Sequence, residues 1–259
     1  MLTPVLAYVM SSVGSMLGLL LTSRARLVSA KEGRFWLVGA AVAIGGTGIW
    51  TMHFIAMMGF AVRGTVIRYD VPLTVVSAVI AITVVGAGLF LVQRGGERRP
   101  FLLAGGALAG LGVAGMHYLG MAAMNMSAHL SYDPLIVAAS MAIAVAAATT
   151  ALWFTIRVRG ALRIGGAALV MGVAVTGMHY TGMHAMSVEV HEMTAPIAGA
   201  RPIDFMLPLI VGISVVTMGL LLAVVLSPSE RELRKEQEFL DRLHAKGAPE
   251  VDFFGTPRG

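Results

Sequence analysis

Three histidines lie in three copies of one short motif, and they are the residues whose type and spacing could do chemistry. His53, His117 and His179 are separated by 64 and 62 residues. A recurrence at nearly constant spacing indicates a repeated structural unit, here one that carries a polar group in each copy. The candidate ligands are Met52, His53 and Met57 in the first copy, Met116, His117, Tyr118 and Met121 in the second, and Met178, His179, Tyr180 and Met183 in the third.

The donor atoms of these motifs favour a soft metal ion. Thioether and imidazole together suit copper, since sulfur favours Cu(I) and imidazole accepts either valence. Cysteine is absent, which excludes thiolate ligands, and no Asp or Glu lies inside the seven apolar spans, which disfavours hard cations and proton pumping. Successive residues of a helix point about 100° apart, so one helix cannot wrap His, Met and Tyr around one ion. We therefore expect a copper site between helices, each contributing one or two ligands.

The same residues also have a purely structural interpretation. Methionine fills irregular apolar packing, and a buried histidine in a membrane often serves as a hydrogen-bonding group between helices. Three copies that meet at one membrane face favour the ligand site. His184 follows Met183 without a counterpart in the other copies and is compatible with either role. The segment His191-Glu192-Met193 is typical of a solvated turn, with an outer ligand cluster as the alternative.

The composition is that of an integral membrane protein. Of the residues, 57% are hydrophobic and 13% are charged, with a mean hydropathy of +0.80, whereas about a quarter of a soluble domain is charged. Runs of about 20 apolar residues are long enough to cross a bilayer. Seven such runs are found, at Pro4–Thr22, Phe35–Phe60, Pro72–Val92, Phe101–Met126, Pro134–Ile156, Ile164–Ser187 and Asp204–Leu226.

The distribution of positive charges among the loops indicates the orientation of the chain in the membrane. They concentrate in the C-terminal tail and in three alternate loops, Ser23–Arg34, Gln93–Pro100 and Arg157–Arg163. By the positive-inside rule these loops face the cytoplasm, so we predict a multi-pass protein of a bacterial plasma membrane with its N-terminus outside and its C-terminus cytoplasmic. The net charge of +5 therefore does not indicate a nucleic-acid partner.

The spacing predicts an all-α bundle of seven transmembrane helices. One repeat is two helices, so the three motifs come to the same membrane face, near the outer ends of helices two, four and six. We expect three helix hairpins around a pseudo-threefold axis, with those three helices nearest the axis and a seventh helix appended. A glycine seven residues before each histidine, Gly46, Gly110 or Gly172, indicates close neighbouring helices.

The predicted domain boundary follows the seventh helix. Residues 4–226 form the membrane domain, and residues 227–259 form a cytoplasmic tail. Ser227-Pro228-Ser229-Glu230 has the pattern of a helix-capping box, so we expect a short charged helix followed by a disordered end. This tail could lie along the membrane or bind a cytoplasmic signalling partner.

At the motif residues the sequence resembles the MHYT family, a seven-helix bacterial membrane sensor module. Met178-His179-Tyr180-Thr181 reproduces the motif that gives the family its name, and Met116-His117-Tyr118 reproduces most of it. The first copy differs, with Phe54 for tyrosine and Ala56 in place of Gly120 and Gly182. The resemblance implies a sensor of oxygen, carbon monoxide or nitric oxide that acts through copper held by the motif Met, His and Tyr residues.

The functional expectation is therefore a non-enzymatic membrane sensor with copper as its cofactor and a diatomic gas or copper itself as its signal. Two alternatives remain open: copper storage or transfer, which the methionine excess favours, and a redox protein with haem between two histidines. We do not expect an enzyme, because no nucleophile–base pair or carboxylate dyad lies inside the spans.

Overall fold

A computed structural model contains seven helices that are long and apolar enough to cross a membrane. The structure describes residues 2–96, 98–190, 196–227, 235, 238–239 and 241–242. The helices are α1 (Leu2–Ala25), α2 (Ala30–Met57), α3 (Val71–Gly95), α4 (Arg99–Ala122), α5 (Pro134–Arg157), α6 (Ala161–His184) and α7 (Pro202–Leu226). The predicted all-α, seven-helix fold class is confirmed.

Capping residues set where the helices begin. The Asp70 side chain accepts a hydrogen bond from the backbone N–H of Leu73, and proline follows in the first turn of α3. Asp133 caps α5 in the same way. Ser29 and Glu32 form a reciprocal capping box at the start of α2. Each cap satisfies backbone donors that have no acceptor inside their own helix.

Helices α1 to α6 pack side by side in a closed ring, each against its two neighbours in sequence, with α6 returning to α1. The glycines before the histidines lie in these contacts. A Cβ on Gly110 would collide with the backbone of Val145 in α5, and one on Gly172 would collide with Ser12 in α1. In two of the three copies the glycine therefore permits the close approach that the sequence predicts.

The first copy departs from this pattern because residues Val42–Thr51 of α2 form a π-helix. A Cβ on Gly46 would lie 3.6 Å from Ile82, which is an ordinary contact. Hydrogen bonds from residue i to i+5 widen each turn, so the face that carries Gly46 no longer lines up with His53 as it would on a regular α-helix. The prediction of one regular helix over Phe35–Phe60 is wrong in this respect.

Short strands cover the end of the bundle where the motifs lie, in place of the predicted helix ends and irregular loops. Strand β1 (Arg68–Tyr69) pairs with β2 (Met124–Asn125), and β3 (Ala128–Tyr132) pairs with β4 (Met186–Val190), both antiparallel. The loops also repeat one contact: the N–H of Asp70 donates to Ala123, and the N–H of Asp133 donates to Ala185. These pairings provide hydrogen-bond partners for backbone groups of the loops.

Helix α7 touches α2 at two places. The hydroxyls of Thr217 and Thr47 are 2.6 Å apart, and Leu220 lies against Gly39. Most other described side chains of α7 are exposed, which matches a helix that faces lipid. The predicted cap Ser227–Glu230, most of the tail and the segment His191–Met193 lie outside the described residues.

Candidate metal centre

The three motif histidines meet at one point inside the bundle. They come from the last turns of α2, α4 and α6, and each is at most 1% exposed. The Nδ1 atom of His53 lies 3.0 Å from Nδ1 of His179 and 3.1 Å from Nδ1 of His117. The third Nδ1–Nδ1 distance, between His117 and His179, is 3.3 Å. The convergence expected from the repeat is therefore confirmed.

The three imidazole rings contact one another in edge-to-face pairs. Each pair of ring centroids is 5.0 Å apart, and the interplanar angles are 81°, 81° and 90°. Such edge-on contacts let three nitrogen atoms approach one another while the carbon atoms of the rings stay apart. The arrangement follows from the sequence, since each histidine occupies the same position in its repeat.

Hydrogen bonding among the imidazoles cannot satisfy this arrangement. In a neutral imidazole, Nδ1 is either a donor or an acceptor. Three such atoms therefore include at least one pair of two donors or two acceptors, and that pair is repulsive at 3.0–3.3 Å. A cation removes the conflict, because all three lone pairs can then point at it.

The spacing also suits an ion of the first transition row. The point equidistant from the three Nδ1 atoms lies about 1.8 Å from each of them. Metal–imidazole bonds are about 2.0 Å long, so the three atoms are close enough together to hold one such ion. Within the described residues, these histidines are the group of His, Asp and Glu side chains with metal-ligand spacing. The donor set fits copper and also other metals that bind imidazole.

Glycines of the following copy support the outer edges of two histidine rings. A Cβ on Gly120 would lie 2.5 Å from Nε2 of His53, and a Cβ on Gly182 would be as crowded against Nε2 of His117. Both Nε2 atoms are buried and have no hydrogen-bond partner among the described residues. The glycine of the Met-His-Tyr-x-Gly motif in one repeat therefore leaves room for the imidazole of the previous repeat.

The predicted methionine ligands surround the histidines in the sequence and are mostly buried with them. The methionines that precede the histidines, Met52, Met116 and Met178, are at most 2% exposed. Of those four residues later, Met57 and Met121 are fully buried and Met183 is half-buried. They remain predicted ligands, and their burial keeps sulfur close to the helix ends that carry the histidines.

The predicted tyrosine ligands point elsewhere. The hydroxyl oxygen of Tyr118 lies 2.7 Å from Oγ of Ser140 on α5, and that serine donates to a backbone carbonyl of its own helix. Tyr180 is 37% exposed. Both rings pack edge-on against the histidine of their own motif, with centroids 4.9 Å apart. The tyrosines thus contact the histidine rings, while the cluster itself consists of nitrogen atoms.

Two features near the cluster escaped the sequence analysis. The fully buried ring of Tyr69 in β1 packs against Phe54, the residue after His53, so the strand covers the site. Burial raises the pKa of Tyr69 to about 12. The second feature is a cavity of about 40 Å³ whose wall includes Ile49, Val113 and Val175. Each lies four residues before a histidine, and this shared spacing is the sequence feature from which the cavity could have been predicted.

The remaining histidines take no part in the cluster. His184 and His129 are exposed, and His191 lies outside the described residues. The exposure of His184 favours a solvent-facing role over a ligand role at this centre.

Comparison with known proteins adds the family. The MHYT model, described as a bacterial signalling protein N-terminal repeat, matches residues 46–105 and 110–167. These two matches include the motifs of His53 and His117, and the third motif lies beyond them. No solved structure matches the chain.

Several curated signalling proteins are similar over most of the bundle. The bifunctional diguanylate cyclase/cyclic di-GMP phosphodiesterase MucR of Pseudomonas aeruginosa is 37% identical over 214 residues, which are 79% of this chain and 31% of the relative. The cyclic di-GMP phosphodiesterase NbdA of the same species is 33% identical over 169 residues, 62% of this chain and 21% of the relative. Signaling protein YkoW of Bacillus subtilis is 28% identical over 200 residues, 74% of this chain and 24% of the relative. The chain spans a third or less of the length of these relatives. It belongs to the MHYT family of membrane signalling proteins.

Proposed function

We propose that this protein is a membrane sensor whose three motif histidines bind one copper ion through their Nδ1 atoms. The observation that carries the proposal is the triangle of buried Nδ1 atoms 3.0–3.3 Å apart, which hydrogen bonds cannot satisfy and a cation can. Copper bound by three imidazoles supplies an ion that changes valence and keeps a position for a further ligand.

Copper is favoured over other imidazole-binding metals by the sulfur around the site. Eleven of the 18 methionines lie in or just beyond the motifs, and thioethers select Cu(I). Met52, Met116 and Met178 stay the candidates for additional ligation, because each is buried in the same helix turn as a histidine and a methionine of one helix could approach an ion held by the histidine of another. The Tyr118 hydroxyl is engaged with Ser140, so its proposed role is to hold α4 against α5.

The proposed signal is a diatomic gas that reaches the ion through the small cavity one turn below the histidines. Residues Ile49, Val113 and Val175 precede the histidines by one helical turn, and alanines of α5 form the opposite wall. An apolar cavity of about 40 Å³ has room for a small apolar molecule and offers water no polar partners. Its size and chemistry suit oxygen, carbon monoxide or nitric oxide.

The proposed output runs from the bundle to a cytoplasmic partner through α7 and the tail. The relatives named as cyclases or phosphodiesterases are longer than this chain, and their names suggest cyclic di-GMP as the messenger downstream. A shift of α2 on ligand binding would reach α7 through the Thr47–Thr217 contact. The predicted topology puts the metal site near the outer surface and the tail inside.

Copper storage or transfer is the second candidate function, and the same methionine excess favours it. Haem binding is disfavoured, because a porphyrin has to lie between two axial imidazoles and rings with nitrogens 3.0–3.3 Å apart leave no room for it. Unchanged cellular copper together with altered signalling in a deletion strain would separate sensing from copper handling.

The proposal is tested by elemental analysis and absorption spectra of the purified protein. We expect about one copper per chain in the wild type and none retained by His117→Ala. For the gas, carbon monoxide is added to the Cu(I) protein and its stretching band is recorded. Ala148→Phe fills the cavity wall and should weaken the band, whereas Ala146→Phe, at an exposed position of the same helix, should not. Wild type without metal would refute the copper site, and equal bands in the two variants would refute the cavity.

A further inference from the structure

A pocket of about 430 Å³ lies at the end of the bundle opposite the histidines, where the basic loops are. It is lined by the end of α1, the start of α2 and the end of α3. Its wall carries three guanidinium groups, and its floor is apolar. The residues on which the inference depends are Arg26, Arg34, Arg94, Leu37 and Phe90.

The positive charge of this pocket is fixed in place on one side. Arg26 donates to the backbone carbonyl oxygens of Thr155 and Val158 at the end of α5. Its aliphatic stem and head are therefore held where α1, α5 and the α1–α2 loop meet. Carbonyl groups at a helix C-terminus attract a cation, which explains why this guanidinium is half-buried.

The other side of the pocket carries two exposed arginines. Arg34 and Arg94 are exposed, and neither forms an ion pair within the described part of the chain. Glu32, two residues before Arg34, is bonded to Ser29 in the helix cap and is not part of the wall, and Glu97, three residues after Arg94, lies outside the described residues. The wall also includes Ala30, the first residue of α2.

The floor of the pocket is apolar. Leu37 is 4% exposed, and Phe90 is half-buried beside it. A ligand that satisfies both halves of this pocket carries an anionic group next to hydrocarbon. The pocket also lies at the ends of spanning helices, which is the depth at which lipid headgroups meet acyl chains.

We infer that this pocket binds the phosphate headgroup of an anionic phospholipid, with the phosphate between Arg34 and Arg94 and the glycerol end of the acyl chains over Leu37 and Phe90. Basic pockets between helices on the cytoplasmic side are known recognition sites for anionic lipids. The positive-inside prediction puts this pocket in the cytoplasmic leaflet. The inference is independent of the metal site.

The test compares lipid retention in matched variants. Protein is reconstituted in nanodiscs of phosphatidylcholine with a minor fraction of phosphatidylglycerol, and lipids that stay bound are counted by native mass spectrometry. We expect selective retention of phosphatidylglycerol by the wild type and a loss of about tenfold to thirtyfold in Arg34→Gln/Arg94→Gln, since each cation near an anionic surface contributes about threefold to fivefold. The control, Arg99→Gln/Arg159→Gln, removes the same charge from exposed positions outside the wall and should retain lipid like the wild type.

Other outcomes would overturn the inference. Equal loss in both double variants would show that bulk charge attracts the lipid, and no loss in either would show that the pocket does not bind it. Displacement of the lipid by equimolar inorganic phosphate would identify a site for free phosphate. The single variant Arg94→Gln, with its folding checked by circular dichroism, repeats the measurement with half of the charge change.

Discussion

Substitution of Gly120 by alanine tests the packing that holds the histidine cluster together. The new Cβ would lie 2.5 Å from Nε2 of His53, whereas ordinary contacts begin near 3.4 Å. The imidazole therefore has to move by about 0.9 Å, away from Gly120 and relative to its two partners. Metal–ligand distances tolerate deviations of only about 0.2 Å, so we expect copper affinity to fall by about 10-fold to 100-fold, as for other changes around a metal ligand.

The fold should survive this substitution. Overpacking costs about 1–3 kcal/mol, and replacement of glycine by alanine in a helix returns about 0.5–1 kcal/mol. Gly115 provides the matched control on the same helix, because a Cβ there meets nothing within 4 Å. Gly182→Ala, which crowds His117, and its control Gly177→Ala form a second pair.

The assay is a competition for Cu(I) between the purified variants and a chromophoric chelator, with thermal unfolding followed in parallel. Gly115→Ala and Gly177→Ala should match the wild type, and the two motif glycine variants should lose copper first. If folded Gly120→Ala holds copper as tightly as Gly115→Ala, then the imidazole positions do not determine binding, and the reasoning is refuted.

Three further predictions concern single residues. His117→Ala should abolish copper retention, measured as metal per chain, whereas His129→Ala, at an exposed strand position, should not. Tyr118→Phe removes the contact with Ser140 and should lower stability by about 0.5–1.5 kcal/mol without changing copper content, and a loss of copper would instead make the phenol a ligand. Burial raises the pKa of Tyr69 from 10 to about 12. The neutral phenol therefore stabilises the fold below pH 10, and this contribution is lost between pH 10 and 12. Tyr69→Phe should flatten the pH dependence of thermal unfolding in that window.

The sequence was sufficient to predict the spans and the meeting of the histidines. Both follow from the repeat. Because each repeat contains two helices, every motif comes to the same membrane face, and each histidine occupies an equivalent position. The glycines seven residues earlier indicated tight neighbours, and Gly110 and Gly172 do make such contacts. These features are local or periodic, so one chain is enough to detect them.

The remaining features depend on contacts between distant residues. Gly120 and Gly182 on neighbouring helices leave room for the Nε2 edges of His53 and His117, and no local pattern encodes this orientation of the two rings. Strand β1 pairs with β2 although more than 50 residues separate them, so the sequence around Tyr69 gave little sign of a strand. The π-helical turns before His53 likewise pack closely against α1 and α3, where Gly14 and Gly45 allow close approach.

X-ray absorption at the copper edge of the metal-loaded protein tests the central claim most directly. Three Nδ1 atoms around one ion predict a first shell of three nitrogen scatterers near 2.0 Å with the outer-shell pattern of imidazole rings, and His53→Ala should lose that pattern. A first shell made of sulfur alone, or a spectrum without imidazole scattering, would contradict the assignment of His53, His117 and His179 as the ligands.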